Sequence, residues 1–153
     1  MKAVVETATF GVSSEQVTAI DAWVERVAAR WGKSERTVFR TRLCIAELAA
    51  NVLEHGVARA DDAHIVIVLH QLGDGIGVEF IDSGAPFDPT RQSAPRDAGA
   101  AESARPGGWG LMLMRAYAKE LAYSNDGTRN HVSLKISSAD AAESALAKRN
   151  SKW

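Results

Sequence analysis

Apolar residues recur at two different spacings along the first third of the chain. Residues 4–10 alternate loosely between apolar and polar positions and are rich in β-branched side chains, which predicts a strand. Over residues 14–31 the apolar positions recur every three or four residues, which is typical of an amphipathic helix. The same spacing predicts a second helix over residues 35–55, with Ser34 as its N-cap and Gly56 directly after it.

Two short apolar runs follow the second helix. Residues 64–71 and 75–82 each predict a strand. Gly73, Asp74 and Gly75 lie between them and form a turn signal that is typical of a hairpin. These two strands are therefore expected to pair antiparallel.

The second half of the chain begins with a long segment without periodicity. Residues 83–108 are dense in Gly, Pro, Ser and Ala, and a loop of this length is usually a functional lid or a disordered linker. Residues 109–121 return to helical spacing, and two more strands are predicted around 121–124 and 131–137. The tail from residue 138 is Ala-rich and polar, which predicts a short helix or a frayed end.

The order of these elements predicts an α+β fold. Strand, helix, helix, two strands, loop, helix and two strands fit a two-layer sandwich with a mostly antiparallel sheet and helices packed on one face. A chain of 153 residues suggests a single domain. We assign this domain to residues 1–137 and treat residues 138–153 as a C-terminal tail.

The composition of the chain limits which binding partners and which cellular compartment we expect. The net charge of −1 gives no reason to expect attraction to nucleic acid or to an anionic membrane. The one cysteine, Cys44, lies in an apolar stretch and is interpreted as a small buried hydrophobic residue. The chain shows neither a signal peptide nor an apolar run of about 18 residues, so we expect a cytoplasmic protein.

The second helix carries an unusual polar stripe. Glu47, Asn51 and His55 recur at intervals of four residues and share one face, whereas their neighbours are almost all apolar. One interpretation is that this stripe is the solvent-exposed edge of the helix. The other is that it lines a polar cavity and binds a ligand there. His55 could also merely neutralise the C-terminus of the helix.

Two further segments have ligand-binding and plain interpretations. Asp82 ends an apolar strand and could accept hydrogen bonds from an amino group of a ligand, while Gly84 would allow the ligand to approach the backbone. Asp-Ser-Gly is also ordinary turn chemistry. Gly107 and Gly108 open a predicted helix and could present backbone N–H groups to phosphate, or could simply allow the loop to join the helix.

Taken together, three motifs resemble those of the Bergerat-fold ATPases. ELAANVLEHG (47–56) is similar to their N box, DSGAPFDP (82–89) to their first glycine box and GGWGLMLM (107–114) to their second. Within this superfamily the form of the boxes is most similar to bacterial anti-sigma-factor serine/threonine kinases. The resemblance covers about residues 5–137 and implies the Bergerat ATP-binding fold, with ATP and Mg²⁺ as cofactors.

The resemblance implies a role for each matched residue near the phosphates. Asn51 would coordinate Mg²⁺, and Glu47 would act as the general base on a serine or threonine hydroxyl. Residues 89–107 would form the ATP lid. The glycines expected close to the phosphates are Gly107, Gly108 and Gly110.

The resemblance also implies contacts with the base. Asp82 would recognise the adenine amino group, and Gly84 would let the base approach. Asn130 stands where many members of the superfamily have a threonine, and its amide can still form a hydrogen bond near adenine.

The family suggests a protein kinase in a partner-switching module. Its substrate would be a STAS-domain anti-anti-sigma protein, and it would also sequester a sigma factor or another output protein. Members of the family commonly dimerise, so a homodimer is a further expectation. The alternatives are a nucleotide-gated binding module with little transfer activity and a histidine-kinase-type catalytic domain separated from its partner. Glu47 favours the kinase.

Overall fold

The computed structural model describes residues 2–56, 63–91 and 110–139. These segments form three helices and five strands. The helices are α1 (Ser14–Arg30), α2 (Glu35–Asn51) and α3 (Gly110–Tyr117). The strands are β1 (Val5–Gly11), β2 (His64–Gln71), β3 (Ile76–Asp82), β4 (Ala118–Asn125) and β5 (Asn130–Ile136). A π turn follows α2 at Val52–Gly56, and a short 3₁₀ turn occupies Pro89–Arg91.

The five strands form one sheet in the order β1-β2-β3-β5-β4, and every neighbouring pair is antiparallel. Side chains alternate between the two faces of a strand. In β2, for example, Ile65, Ile67 and Leu69 are buried while the residues between them are partly exposed. The buried face packs against the helices, so the predicted α+β two-layer fold is confirmed.

Helices α1 and α2 supply the other half of the core. Ile20, Val24 and Ile45 are almost fully buried in the same cluster as the sheet residues. On the outer side, Arg42 donates to both carboxylate oxygens of Asp21, at 2.9 and 2.6 Å. The Arg42 guanidinium lowers the pKa of Asp21, so this ion pair joins the two helices at neutral pH.

The predicted interpretation of Cys44 agrees with its position in the core. The residue is fully buried, and burial raises the pKa of its thiol to about 12. A thiol with this pKa remains protonated at neutral pH and has little nucleophilic character. Cys44 therefore acts as a small packing residue.

One predicted helix end agrees with the structure and one is wrong. The second helix continues to the predicted end, because a π turn at Val52–Gly56 follows its α-helical part, which ends at Asn51. The helix expected over 109–121 ends at Tyr117, because β4 begins at Ala118 and pairs with β5 through a bulge near Glu120. Residues with good helix propensity are drawn into the sheet, since pairing outweighs local preference.

The turns between strands agree with the predicted glycine signals. Leu72 N–H donates to the Gly75 carbonyl across the β2–β3 hairpin, at 3.2 Å. A Cβ atom at Gly75 would lie 2.2 Å from the Ile136 carbonyl oxygen, so only glycine fits there. Gly127 has a φ of +94°, which a side chain would strain, in the β4–β5 turn.

The ends of the chain are only partly described. The proposed tail begins at residue 138, and residues 140–153 lie outside the described residues. Within the described segments, no helix combines the length and the apolar character needed to cross a membrane.

Candidate functional site

A pocket lies where α2, the end of β3 and the start of β5 meet. Its enclosed cavity volume is only about 20 Å³, within a depression that has about 320 Å³ of empty space when the part open to solvent is included. The walls are mostly apolar, and three polar side chains reach them. The polar residues are Asn51, Asp82 and Asn130, and the apolar ones are Leu48, Val52, Phe80, Ala85, Phe87, Pro89 and Val132.

The sheet register brings Asp82 and Asn130 together. Asp82 is the last residue of β3, Asn130 is the first of β5, and the two are direct partners in the antiparallel ladder. Asp82 lies on the same face as Val78 and Phe80, which point towards the helices. The apolar run that precedes Asp82 therefore carries its carboxylate into the layer between sheet and helices.

One oxygen of the Asp82 carboxylate is already engaged. Oδ1 accepts hydrogen bonds from the Gly84 N–H at 2.9 Å and from Asn130 Nδ2 at 3.1 Å. Burial raises the pKa of Asp82, whose carboxyl is only 6% exposed, and these two hydrogen bonds partly offset that shift. Oδ2 makes no hydrogen bond to any residue of the described segments, so it remains an acceptor for a ligand amino group.

Asn130 organises the loop that follows β3. Its Nδ2 donates to the Ala85 carbonyl at 2.9 Å as well as to Asp82. Its Oδ1 accepts from the Tyr123 hydroxyl at 2.6 Å and from the Phe87 N–H at 3.3 Å. The amide thus uses both its donors and its acceptor within the protein, which fixes the Asp82 carboxylate and the loop after it.

Tyr123 contributes to the site although the sequence does not indicate it. The residue lies in the middle of β4, opposite Val132, and its hydroxyl reaches the Asn130 amide. A half-buried tyrosine in a strand is ordinary, so the sequence carries no signal for this role. The register of β4 and β5 is what identifies it.

Glu47 and Asn51 lie on neighbouring turns of α2. The Asn51 side chain is half-buried, lines the pocket and makes no hydrogen bond to a described residue. Glu47 lies one turn earlier and outside the pocket lining, and its Oε2 is buried without a hydrogen-bond partner among the described residues. Burial raises the pKa of Glu47, because no described cation compensates the charge. A fully solvated edge of the helix would not bury the Glu47 Oε2 atom in this way.

His55 does not extend the polar stripe into the pocket. It lies in the π turn, and its ring stacks on the Phe87 ring with the centroids 4.6 Å apart and the planes 12° apart. Among the three residues of the stripe, Asn51 lines the pocket, whereas His55 contacts Phe87, a lining residue, without lining the pocket itself.

The glycine positions are described only in part. Gly84 lies directly after Asp82, and its backbone N–H is used by that carboxylate. Gly110 is the first residue of α3, whereas Gly107 and Gly108 lie outside the described residues.

The predicted lid is described only at its start. Residues 89–91 form the 3₁₀ turn, and residues 92–107 lie outside the described ranges. Asp88 accepts from the Thr90 N–H at 2.8 Å, and the Arg115 guanidinium of α3 donates to the Thr90 carbonyl. Helix α3 therefore holds the first turn of this segment.

The described residues fit a metal only in a limited way. No group of three or more His, Cys, Asp or Glu side chains in residues 2–56, 63–91 and 110–139 could hold an ion. The free amide of Asn51 offers one oxygen at the edge of the pocket. This arrangement suits a hard cation that keeps waters and takes its other ligands from a bound phosphate.

Fold and pocket together define an α+β domain whose helix α2 carries a half-buried glutamate and asparagine beside a pocket. Residues 10–136 match the histidine kinase-like ATPase domain family. The chain belongs to this family, and the predicted relationship is confirmed.

Two known proteins show how this chain is related to others. It is 35% identical over 136 residues to the serine/threonine-protein kinase BtrW of Bordetella bronchiseptica, which covers 88% of this chain and 96% of that protein. The crystal structure of the RsbU and RsbW domains of Rv1364c from Mycobacterium tuberculosis has the same fold, with a TM-score of 0.63 at 18% identity. That match covers 88% of this chain but only 32% of the other.

Proposed function

We propose that this protein is an ATP-dependent serine/threonine kinase of the anti-sigma type that phosphorylates a STAS-domain antagonist. One observation carries the proposal. The buried Oε2 of Glu47 has no partner among the described residues, and Asn51, one helical turn away, lines a pocket that Asp82 also lines. The 35% identity to a protein named as a serine/threonine kinase supports the same activity.

The pocket suits an adenine base. Asp82 Oδ2 would accept a hydrogen bond from the adenine amino group, and the apolar walls formed by residues such as Phe80 and Val132 would cover the flat ring. Asn130 would act indirectly, because its amide holds the Asp82 carboxylate and the loop after β3 in place. The phosphates would extend towards Asn51 and Gly110.

Asn51 would hold Mg²⁺ through its amide oxygen. The unpartnered amide of Asn51 fits this role, because Mg²⁺ takes oxygen ligands and retains several waters. When bound, the ion would neutralise negative charge on the phosphates. The residue that would hold the metal, Asn51, and the residue that would act as the base, Glu47, thus lie on the same helix.

Glu47 would remove the proton from the attacking hydroxyl. Its raised pKa makes the ionised carboxylate a stronger base than an exposed glutamate. As the hydroxyl oxygen of the substrate bonds to the γ-phosphorus, the bond from that phosphorus to the bridging oxygen breaks. ADP leaves, and Glu47 carries the proton from the hydroxyl.

The same protein would act as a switch between two partners. Phosphorylation adds negative charge to the STAS domain at the interface and would break its complex with the kinase. The released kinase would then be free to sequester a sigma factor or another output protein. In this role the protein would work in the cytoplasm, and it would do so as a homodimer.

Transfer of a labelled γ-phosphate tests this proposal. The wild-type protein, Glu47→Ala and Glu120→Ala are incubated with labelled ATP, Mg²⁺ and a STAS-domain protein. We expect label on the STAS domain with the wild type and with Glu120→Ala, whose carboxylate is exposed on β4. Glu47→Ala should bind ATP without transferring label.

The assay also separates the two candidate functions. If the wild type binds the STAS domain only with ATP but never labels it, the protein is a nucleotide-gated binding module. If Glu47→Ala transfers label at the wild-type rate, Glu47 is not the base.

A further inference from the structure

An aromatic contact joins two segments that lie far apart in the sequence. The His55 imidazole, in the turn after α2, stacks on the Phe87 ring, in the loop after β3. The centroids are 4.6 Å apart and the planes are 12° from parallel. This separation lies within the range of favourable aromatic pairs.

His55 lies in the π turn that follows α2. Its imidazole contacts Phe87, while Val52 in the same turn is buried and lines the pocket. Single π turns within helices are rare and occur frequently at functional sites.

Phe87 connects this stack to the pocket. Its side chain lines the pocket, and its backbone N–H donates to Asn130 Oδ1 at 3.3 Å. Asn130 Nδ2 in turn donates to Asp82 Oδ1 at 3.1 Å. The His55 imidazole therefore supports the Phe87 ring. The backbone of Phe87 is in turn bonded to Asn130, which holds the Asp82 carboxylate.

We infer that His55 is a positioning residue for nucleotide affinity, which it controls by holding Phe87 as one wall of the base pocket. The inference rests on the proposed function, because it takes the ligand to be an adenine nucleotide. His55 acts through Phe87 and not through the phosphates or the metal. Loss of the stack should therefore weaken ADP without Mg²⁺ and ATP with Mg²⁺ by the same factor.

Calorimetric titration of ADP without Mg²⁺ and of ATP with Mg²⁺ tests this inference. His55→Ala should raise Kd for both by about two- to tenfold, which is the range that one aromatic pair supports. His55→Phe keeps a ring and should restore the wild-type Kd. His55→Lys places a positive charge at the helix end but has no ring, and should bind as weakly as His55→Ala.

His70→Ala is the matched control. The His70 side chain is 36% exposed and its Nε2 lies 2.7 Å from Glu79, while that of His55 is 32% exposed and its Nε2 lies 3.7 Å from Glu54. The two substitutions remove similar groups, but His70 lies in β2, away from the pocket. His70→Ala should leave both Kd values unchanged.

A double-mutant cycle gives a second readout. Once Phe87 is truncated, His55 has no ring to support, so His55→Ala in a Phe87→Ala background should change neither Kd further. Additive effects would show that His55 acts independently of Phe87.

Besides additive effects in this cycle, three results would overturn the inference. The first is an unchanged Kd in His55→Ala, and the second is rescue by His55→Lys and not by His55→Phe. The third is a loss confined to ATP with Mg²⁺, which would place His55 at the metal side. If the wild-type protein binds neither nucleotide, the proposed function fails and this inference fails with it; the other results leave the proposed function intact.

Discussion

Replacing Glu47 by glutamine should stabilise the protein while it removes transfer activity. The buried Oε2 of Glu47 has no partner among the described residues, and burial raises the pKa of the carboxyl. An unsatisfied buried polar atom costs about 1–3 kcal/mol, and more when it is charged. Glutamine keeps the shape and removes the charge but leaves polar atoms in place. We therefore expect a gain of about 1 kcal/mol at neutral pH.

The gain should depend on pH in a defined direction. Below the ordinary glutamate pKa of 4.5, Glu47 is protonated in both the folded and the unfolded protein, so the variant gains little. As the pH rises through the raised folded-state pKa, the unfolded state ionises more readily than the folded state. Wild-type stability then falls relative to that of Glu47→Gln, and the difference levels off above the folded-state pKa.

Thermal unfolding between pH 4 and pH 8 measures this difference. For a protein of this size a gain of about 1 kcal/mol raises Tm by about 2–4 °C. Phosphoryl transfer should fall by about 100-fold or more, which is what a general base contributes. Glu120→Gln is the control, because the Glu120 side chain is 68% exposed and pairs with Lys135 at the surface; it should change stability by less than about 0.5 kcal/mol.

Two outcomes would refute this reasoning. One is a variant that is less stable than the wild type at pH 7, or whose stability differs from that of the wild type by the same amount at every pH. Either result would show that the Glu47 carboxylate is compensated in the folded protein. Transfer within tenfold of the wild-type rate would show that another group accepts the proton.

Three other changes should have separate effects. Asn51→Ala should abolish Mg²⁺-dependent ATP binding, and unchanged affinity in calorimetry would contradict the metal role. Asn130→Ala should destabilise the protein by about 2–3 kcal/mol in denaturant unfolding, because it leaves several buried hydrogen-bonding groups unpaired; a loss under 0.5 kcal/mol would be inconsistent with its network. Gly75→Ala should cost about 1–3 kcal/mol because its Cβ would meet the Ile136 carbonyl at 2.2 Å. Gly73→Ala, whose Cβ meets nothing within 4 Å, is its control, and equal losses would refute the clash.

The elements of the fold were largely predictable from local pattern. Residues 64–71 and 75–82 stand out in the sequence as two short apolar runs with a glycine turn signal between them. Asp82 is a candidate because it ends the second run, where its carboxylate could enter a cleft or belong to an ordinary turn. Its pairing with Asn130 then follows from the register, which the sequence alone does not specify.

The wrong helix end occurs where a distant contact decides local structure. Lys119 and Glu120 are good helix formers, yet they belong to β4 because β5 offers a partner. This contact between segments outweighs the propensity of a few residues. The π turn at Val52–Gly56 and the stack of His55 on Phe87 are likewise not visible in the local pattern.

The proposed function requires that the pocket between α2, β3 and β5 holds an adenine nucleotide. A crystal structure of the wild-type protein with Mg²⁺ and a non-hydrolysable ATP analogue would show whether it does. We expect the adenine amino group within hydrogen-bond distance of Asp82 Oδ2 and the metal bound to the Asn51 amide oxygen. A nucleotide seated elsewhere, with the Asp82 and Asn51 side chains out of its reach, would contradict it.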